Sequence, residues 1–227
     1  MRKGFVLSII LLSANAFGFN CGTEELPIVT DRLIVDITDE QELNIWDEER
    51  RFNLTYCVSD KFKKDKDTMV QAMSAATQAW EEHAHVKFIY LPEHDANCEM
   101  SNKDVFFKVR VVNSKHVKYS AKAFFPNYPE DKRRVVFKRR VVQKSSEAKL
   151  NGLTKHELGH VLGFRHEHVH SENPNECNEI GQWDYLTDYD TDSIMHYLRC
   201  GGTSGMFVLS EKDKEGARRM YPQLADL

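Results

Sequence analysis

The sequence predicts an α+β fold: a twisted mixed sheet with two main helices in an N-terminal lobe, and a smaller, irregular C-terminal lobe that ends in a helix. Three observations predict it. Short β-branched and aromatic runs bounded by polar turns recur between residues 52 and 142, stretches of three- and four-residue apolar spacing fall at 67–84 and 146–162, and the text past Gly163 is irregular until one last helical stretch. With 227 residues, 41% of them apolar, and no internal repeat or low-complexity linker, the chain can bury one sizeable core.

Residues 1–16 are of another kind. Arg2 and Lys3 precede an apolar run, Phe5 to Leu12, and a small-residue cleavage site, Ala14-Asn15-Ala16. That is the pattern of a secretory signal peptide, and the run is far shorter than the roughly 20 residues of a membrane span. The expectation is a secreted or periplasmic protein with no stable membrane insertion after cleavage. Residues 17–48, acidic and poor in aromatics, read as a short pro-segment or a peripheral N-terminal arm, and 49–227 as the main domain.

FNLTYCV (52–58) reads as a strand. DTMVQAMSAATQAWEEHA (67–84) reads as a helix that buries Met69, Met73, Ala76, Trp80 and Ala84. VKFIYL (86–91), DVFFKVRVV (104–112), KYSAKAFFP (118–126) and RRVVFKRRVV (133–142) are further strands. The segment from Ser146 to Leu162 is helical, with Leu150, Leu153, Leu158, Val161 and Leu162 available to the core. In LSEKDKEGARRMY (209–221), Ser210 and Asp213 have the spacing of a helix N-cap and its reciprocal partner.

Losing Arg2 and Lys3 takes the formal charge from −4 to −6, which gives no global bias toward nucleic acid or anionic membrane. The local stretch KRRVVFKRRVV (132–142) reads as a buried strand with solvated flanks rather than a polyanion site, because apolar pairs interrupt its charges. The five cysteines (21, 57, 98, 177 and 200) of an exported chain can form two disulfides and leave one thiol over. Sequence proximity favours Cys57–Cys98 and Cys177–Cys200.

The chemistry lies in HELGHVLGFRHEH (156–168). On a helix His156 and His160 share a face about 6 Å apart along the axis, so both imidazoles reach one ion. A continued helix would carry His166 about 9 Å further and off that face, beyond zinc–nitrogen bonds of about 2.0–2.1 Å. The chain must therefore double back, and Gly163 suits the left-handed conformation that ends a helix. Three neutral imidazoles leave a fourth position open to water, the mark of a catalytic zinc site, and Glu157 stands beside the first ligand to take a proton. That set serves amide hydrolysis. HExxHxxGxxH fixes five positions, and chance yields it in such a chain with a frequency on the order of 10⁻⁴.

With DSIMHY (192–197) about thirty residues beyond His166, these motifs resemble the metzincin zinc endopeptidases, and SIMHY with GFRHE is most similar to the astacin branch. The resemblance implies a metzincin-like zincin fold, Zn2+ held by His156, His160 and His166, and a catalytic metalloprotease domain over 49–227 acting on protein or peptide substrates. It implies that Met195 is the apolar floor beneath the ligands and that Tyr197 binds the metal or stabilises the oxyanion. It also implies that Glu167 contacts a matured N-terminus, unless it is a simple surface acid. His168, His170 and His196 read as neighbours of the site or exposed residues, and KYSAKAFFP as the cleft's upper rim pairing with extended substrate.

Past Glu167 the chain reads HVHSENPNEC where astacins carry an Arg- and Asp-rich run, and no Gly-Asp pair supplies their latency motif. Cys21, in FNCGTEELP, fits that gap as an inhibitory zinc ligand on an arm that reaches the cleft. Two other functions share these residues: an exported zinc-binding adhesion or inhibitor protein without turnover, and a cell-wall peptide hydrolase.

Overall fold

The computed structural model describes residues 34–170, 173, 177, 179–203 and 207–223. Cys21 and the signal-peptide stretch lie outside them. The N-terminal strand β1 (Ile34–Asp36) is followed by β2 (Leu54–Val58), helix α1 (Lys66–Glu81), β3 (Phe88–Tyr90), β4 (Phe107–Val112), β5 (Ala121–Lys122) and β6 (Arg134–Lys138). Helices α2 (Arg139–Lys144) and α3 (Glu147–Val161), strand β7 (Trp183–Tyr185) and helix α4 (Glu211–Met220) complete the order.

Five strands form one mixed sheet in the order β3-β2-β4-β6-β5, parallel except for the antiparallel edge strand β5. The pleat sorts its faces. Leu54, Tyr56, Val58, Phe107, Val109, Val135 and Phe137 join the buried core with α1 and α3, while Lys108, Arg110, Arg134 and Lys138 alternate with them on the other face. α1 buries Met69, Met73, Ala76 and Trp80, as the spacing predicts. Trp80 ties it to α3: the ring stacks on Phe164 at 5.3 Å, and its N–H donates to the Lys155 carbonyl at 2.9 Å. Truncating so large a buried side chain costs about 3–5 kcal/mol.

Two of the expected elements change. KYSAKAFFP keeps only Ala121 and Lys122 as strand, and RRVVFKRRVV divides into β6 and α2. The division has a cause: Arg139 donates to the Phe62 carbonyl at 3.0 Å and to Lys61 O at 2.5 Å, which turns the chain so that Val142 is buried from a helix. Both favoured disulfides form, Cys57–Cys98 and Cys177–Cys200.

The described residues of the stretch read as an arm are packed from Ile34 on. β1 pairs antiparallel with β7 on one side. On its other side the Arg165 N–H donates to Ile34 O at 2.6 Å and the Asp36 N–H to Gly163 O at 2.9 Å. Ten residues on, Trp46 is buried and donates from its indole to the Val161 carbonyl at 2.8 Å, at the end of α3.

Candidate active site

Ser146 precedes helix α3 as its N-cap, its side chain accepting from the Lys149 N–H, and Gly163, with φ 97°, follows the cap at the helix's other end. Gly163 answers two demands. That φ favours glycine, and a Cβ there would run into the Asn44 carbonyl oxygen. The chain then reverses, with Val35 bridging Phe164, and returns His166 to the helix face that carries His156 and His160.

The three imidazoles converge as their spacing predicts. His166 Nε2 lies 3.1 Å from both His160 Nε2 and His156 Nε2, and all three rings are buried. Each Nδ1 is engaged elsewhere: His156 with the Ile194 carbonyl at 2.8 Å, His160 with the Phe164 carbonyl at 2.7 Å, and His166 with the Glu179 carboxylate. Those acceptors place the proton on Nδ1, so three Nε2 lone pairs face one another. Burial reinforces the neutral form, lowering His156 to about 3 and His160 well below its ordinary value. Lone pairs so close repel unless a cation lies among them. Tetrahedral zinc with bonds of about 2.0–2.1 Å sets its nitrogens roughly 3.3 Å apart, so the donor set fits that ion.

Glu157 is wholly buried beside this cluster. Met195 has no exposure and packs so closely on α3 that a Cβ on Gly159 would overlap its sulfur and stand 3.0 Å from its Cε and 3.2 Å from Trp80. Tyr197, two residues on, lays its ring 4.3 Å from that of His166 and 5.8 Å from that of His156. The turn bearing these residues is clasped by α4. Asp213 accepts from the Ile194 N–H at 2.8 Å and the Ser193 hydroxyl at 2.6 Å while completing the predicted capping box with Ser210. Burial pushes the Asp213 carboxyl up to about 6 against these donors.

Glu167 is not a surface acid. It is fully buried, accepts the Asp190 N–H at 2.8 Å, and burial raises its carboxyl well above the ordinary range. Contact with a matured N-terminus falls outside the described residues. His168, His170 and His196 are all buried. His168 stacks on His166, and His196 engages the Tyr189 hydroxyl at 2.8 Å.

Sequence reasoning missed Glu179. Its carboxylate meets His166 Nδ1 and His168 Nε2, the latter at 3.2 Å, and it faces Arg165 at 3.6 Å. Arg165 in turn pairs with Asp36 of β1 at 2.8 Å. Burial acts to raise the Glu179 carboxyl, but the two imidazoles hold it well below the usual range. An acid in an irregular run gave no periodic signal; its only mark was Cys177 two residues before it.

The sequence profile of the Matrixin family (Peptidase M10) matches residues 45–173. Tolloid-like protein 1 of Homo sapiens and of Mus musculus is 34% identical over 93 residues, 30% of this chain and 9% of theirs. Bone morphogenetic protein 1 of Xenopus laevis is 32% identical over 93 residues, 30% of this chain and 12% of its own length. The chain thus spans about a tenth of those relatives. A solved structure of myroilysin shares the fold over 79% of this chain and 96% of its own, with a TM-score of 0.55 at 18% identity. A second, the crystal structure of myroilysin, covers 89% of this chain with a TM-score of 0.51 at 17% identity. These likenesses bear out the metzincin resemblance and the mixed-sheet α+β class.

Proposed function

We propose, from the premise that this chain belongs to the matrixin family of peptidases, that it is a secreted zinc-dependent endopeptidase with protein or peptide substrates. One observation carries the reading: three Nε2 atoms turned on one point, each fixed by an acceptor at Nδ1, with a carboxylate at the adjacent helix position. His156, His160 and His166 would hold the zinc, which when bound supplies a Lewis acid that acidifies a water and polarises a carbonyl.

The chain's own residues do the rest. Glu157 takes the proton of the attacking water on a carboxylate oxygen and returns it to the leaving amine. The Tyr197 hydroxyl, on a ring that lies against the ligands, donates to the oxyanion as the carbonyl becomes tetrahedral. Met195 excludes water from beneath the histidines, and the Nδ1 acceptors keep each imidazole in the neutral tautomer that binds metal. Two disulfides favour an oxidising compartment, in keeping with export. Among the described residues no helix is long and apolar enough to cross a membrane.

The disulfides use four of five cysteines and leave Cys21. We assign it to latency: its thiolate would take the fourth zinc position in place of water until cleavage past residue 21. The test is to prepare residues 17–227 with and without Glu157→Gln, measure zinc, and assay a denatured protein before and after trimming the N-terminal arm. Zinc in both and cleavage only with Glu157, rising on trimming, supports the reading. Zinc without turnover in any state would leave a binding protein. Cys21→Ser without a gain in untrimmed activity would end the latency assignment.

A further inference from the structure

Two cations lie together on the face of the main sheet turned from α1 and α3, and the reaction uses neither. Lys108 alternates along β4 with the core residues Phe107 and Val109 and is only 3% exposed. Its backbone N–H donates to the carbonyl of Arg133, just ahead of β6, at 3.3 Å, which sets the two residues side by side. The Arg133 side chain is 11% exposed, and its guanidinium lies 4.4 Å from the Phe106 ring and 5.2 Å from that of Trp46. Burial lowers the pKa of each; at Lys108 the charge of Glu130 offsets part of this and that of Arg133 adds to it.

Neither cation has a buried counter-charge among the described residues. The Lys108 ammonium meets no carboxylate at ion-pair distance there and donates to the Val105 carbonyl at 3.1 Å. Arg133 Nε donates to the Tyr128 carbonyl at 3.1 Å, and the carboxylate it faces, Glu130, is 4.0 Å away on a side chain 80% exposed. Water screens so exposed an acid, and it offsets a buried cation weakly. Lysine is rarely this buried without a charged partner, because an uncompensated charge in low dielectric is costly.

Both residues line a pocket of about 230 Å³ at the starts of the parallel strands β2, β4 and β6, beside Thr55, Asn102 and Phe106. The three acids that also line it, Asp104, Glu130 and Asp131, are all exposed, so its inner end keeps a positive field. We propose that this pocket binds a small carboxylate anion, gripped by the fork of Arg133 and neutralised by the ammonium of Lys108. Guanidinium and carboxylate match in plane and spacing. A doubly charged phosphate suits the pocket less, since the exposed acids repel it twice as strongly. The proposal stands apart from the endopeptidase reading, because no lining residue belongs to the histidine site. Were Lys108 only a tether for the Val105 carbonyl, the pocket would take up no anion.

Calorimetric titration of residues 17–227, with ionic strength held by sodium chloride, tests it with acetate, N-acetyl-alanyl-alanine and inorganic phosphate. The first two present the carboxylate on a small acid or at a peptide end. Acetate should bind saturably with a Kd of about 1 mM. Lys108→Met and Arg133→Gln, each first checked by melting, should weaken it by about tenfold or more, the loss of one charge-assisted hydrogen bond. If one variant fails to fold, the other carries the test. The dipeptide bound more tightly than acetate supports the site with a peptide terminus as its source, and equal or weaker binding supports it with a small acid. No saturable binding, binding unchanged in the folded variants, or phosphate bound more tightly than either carboxylate would overturn the proposal.

Discussion

Replacing Glu179 with Gln tests whether the carboxylate behind His166 governs the proposed metal site. Gln keeps the shape and one acceptor, so it can still receive one of the two imidazole N–H groups that meet Glu179. What it loses is the negative charge that makes the His166 ring a stronger donor. Arg165 is not stranded by the change, since it also bonds Asp36 and the Ile180 carbonyl, each at 2.8 Å. Carboxylates in this position are worth about 10- to 100-fold in metal affinity, or roughly 1.4–2.7 kcal/mol. Gln belongs near the lower bound. Ala, which leaves two buried N–H groups unanswered at about 1–3 kcal/mol each, belongs at or past the upper one and should also lower the melting temperature. Titrating each zinc-loaded variant with a competing chelator at fixed pH gives the affinity, and melting of the zinc-free proteins separates ligand tuning from loss of fold. Zinc affinity of Glu179→Gln within twofold of the wild type, with the fold intact, would refute the reasoning.

Tyr197→Phe should keep zinc and KM while lowering kcat by about 10²-fold, the signature of a contact made only in the transition state; steady-state kinetics on a peptide substrate will tell. Gly159→Ala forces a methyl against Met195 and Trp80 and should cost about 1–3 kcal/mol in a urea titration, with weaker zinc binding because α3 and its histidines must shift. Asp213→Asn carries a pH signature. The carboxyl is raised in the fold from 3.8 to about 6, so its protonated form contributes stability that is present below about 4 and lost as pH rises through about 6. Asn does not titrate, so its deficit against the wild type should narrow across that window when urea midpoints are compared at pH 4, 5, 6 and 7.

Much of this was legible in the residues because it is local. The histidine spacing, the glycine that reverses the chain and the Ser210–Asp213 box each depend on helix geometry over a few positions, and each is found where the spacing puts it. Helix α1 is read correctly by its apolar period. β1 and β7 are three residues long, too short for any alternation to register, and they exist because distant segments supply their partners. The strand read through Val142 fails for a similar reason, since Arg139 reaches back to carbonyls of residues 61 and 62 and bends the run into a helix. Glu179 is the extreme case. Its role comes from three contacts between irregular segments, and nothing in its neighbours' periodicity announces it.

The chain of contacts from Asp36 through Arg165 and Glu179 to His166 bears on the order in which the molecule matures. Its ends lie 130 residues apart in sequence, and β1 can find β7 only after nearly all of the chain between them has been made. Contacts of such long range close late in folding, since loop entropy is lost before they form. His156 and His160 stand one turn apart on α3, whereas the carboxylate that orients the third imidazole is linked to the first strand through Arg165. If the three histidines hold zinc as proposed, tight metal capture should come late in refolding, after β1 has paired with β7, and zinc affinity followed through refolding would check it.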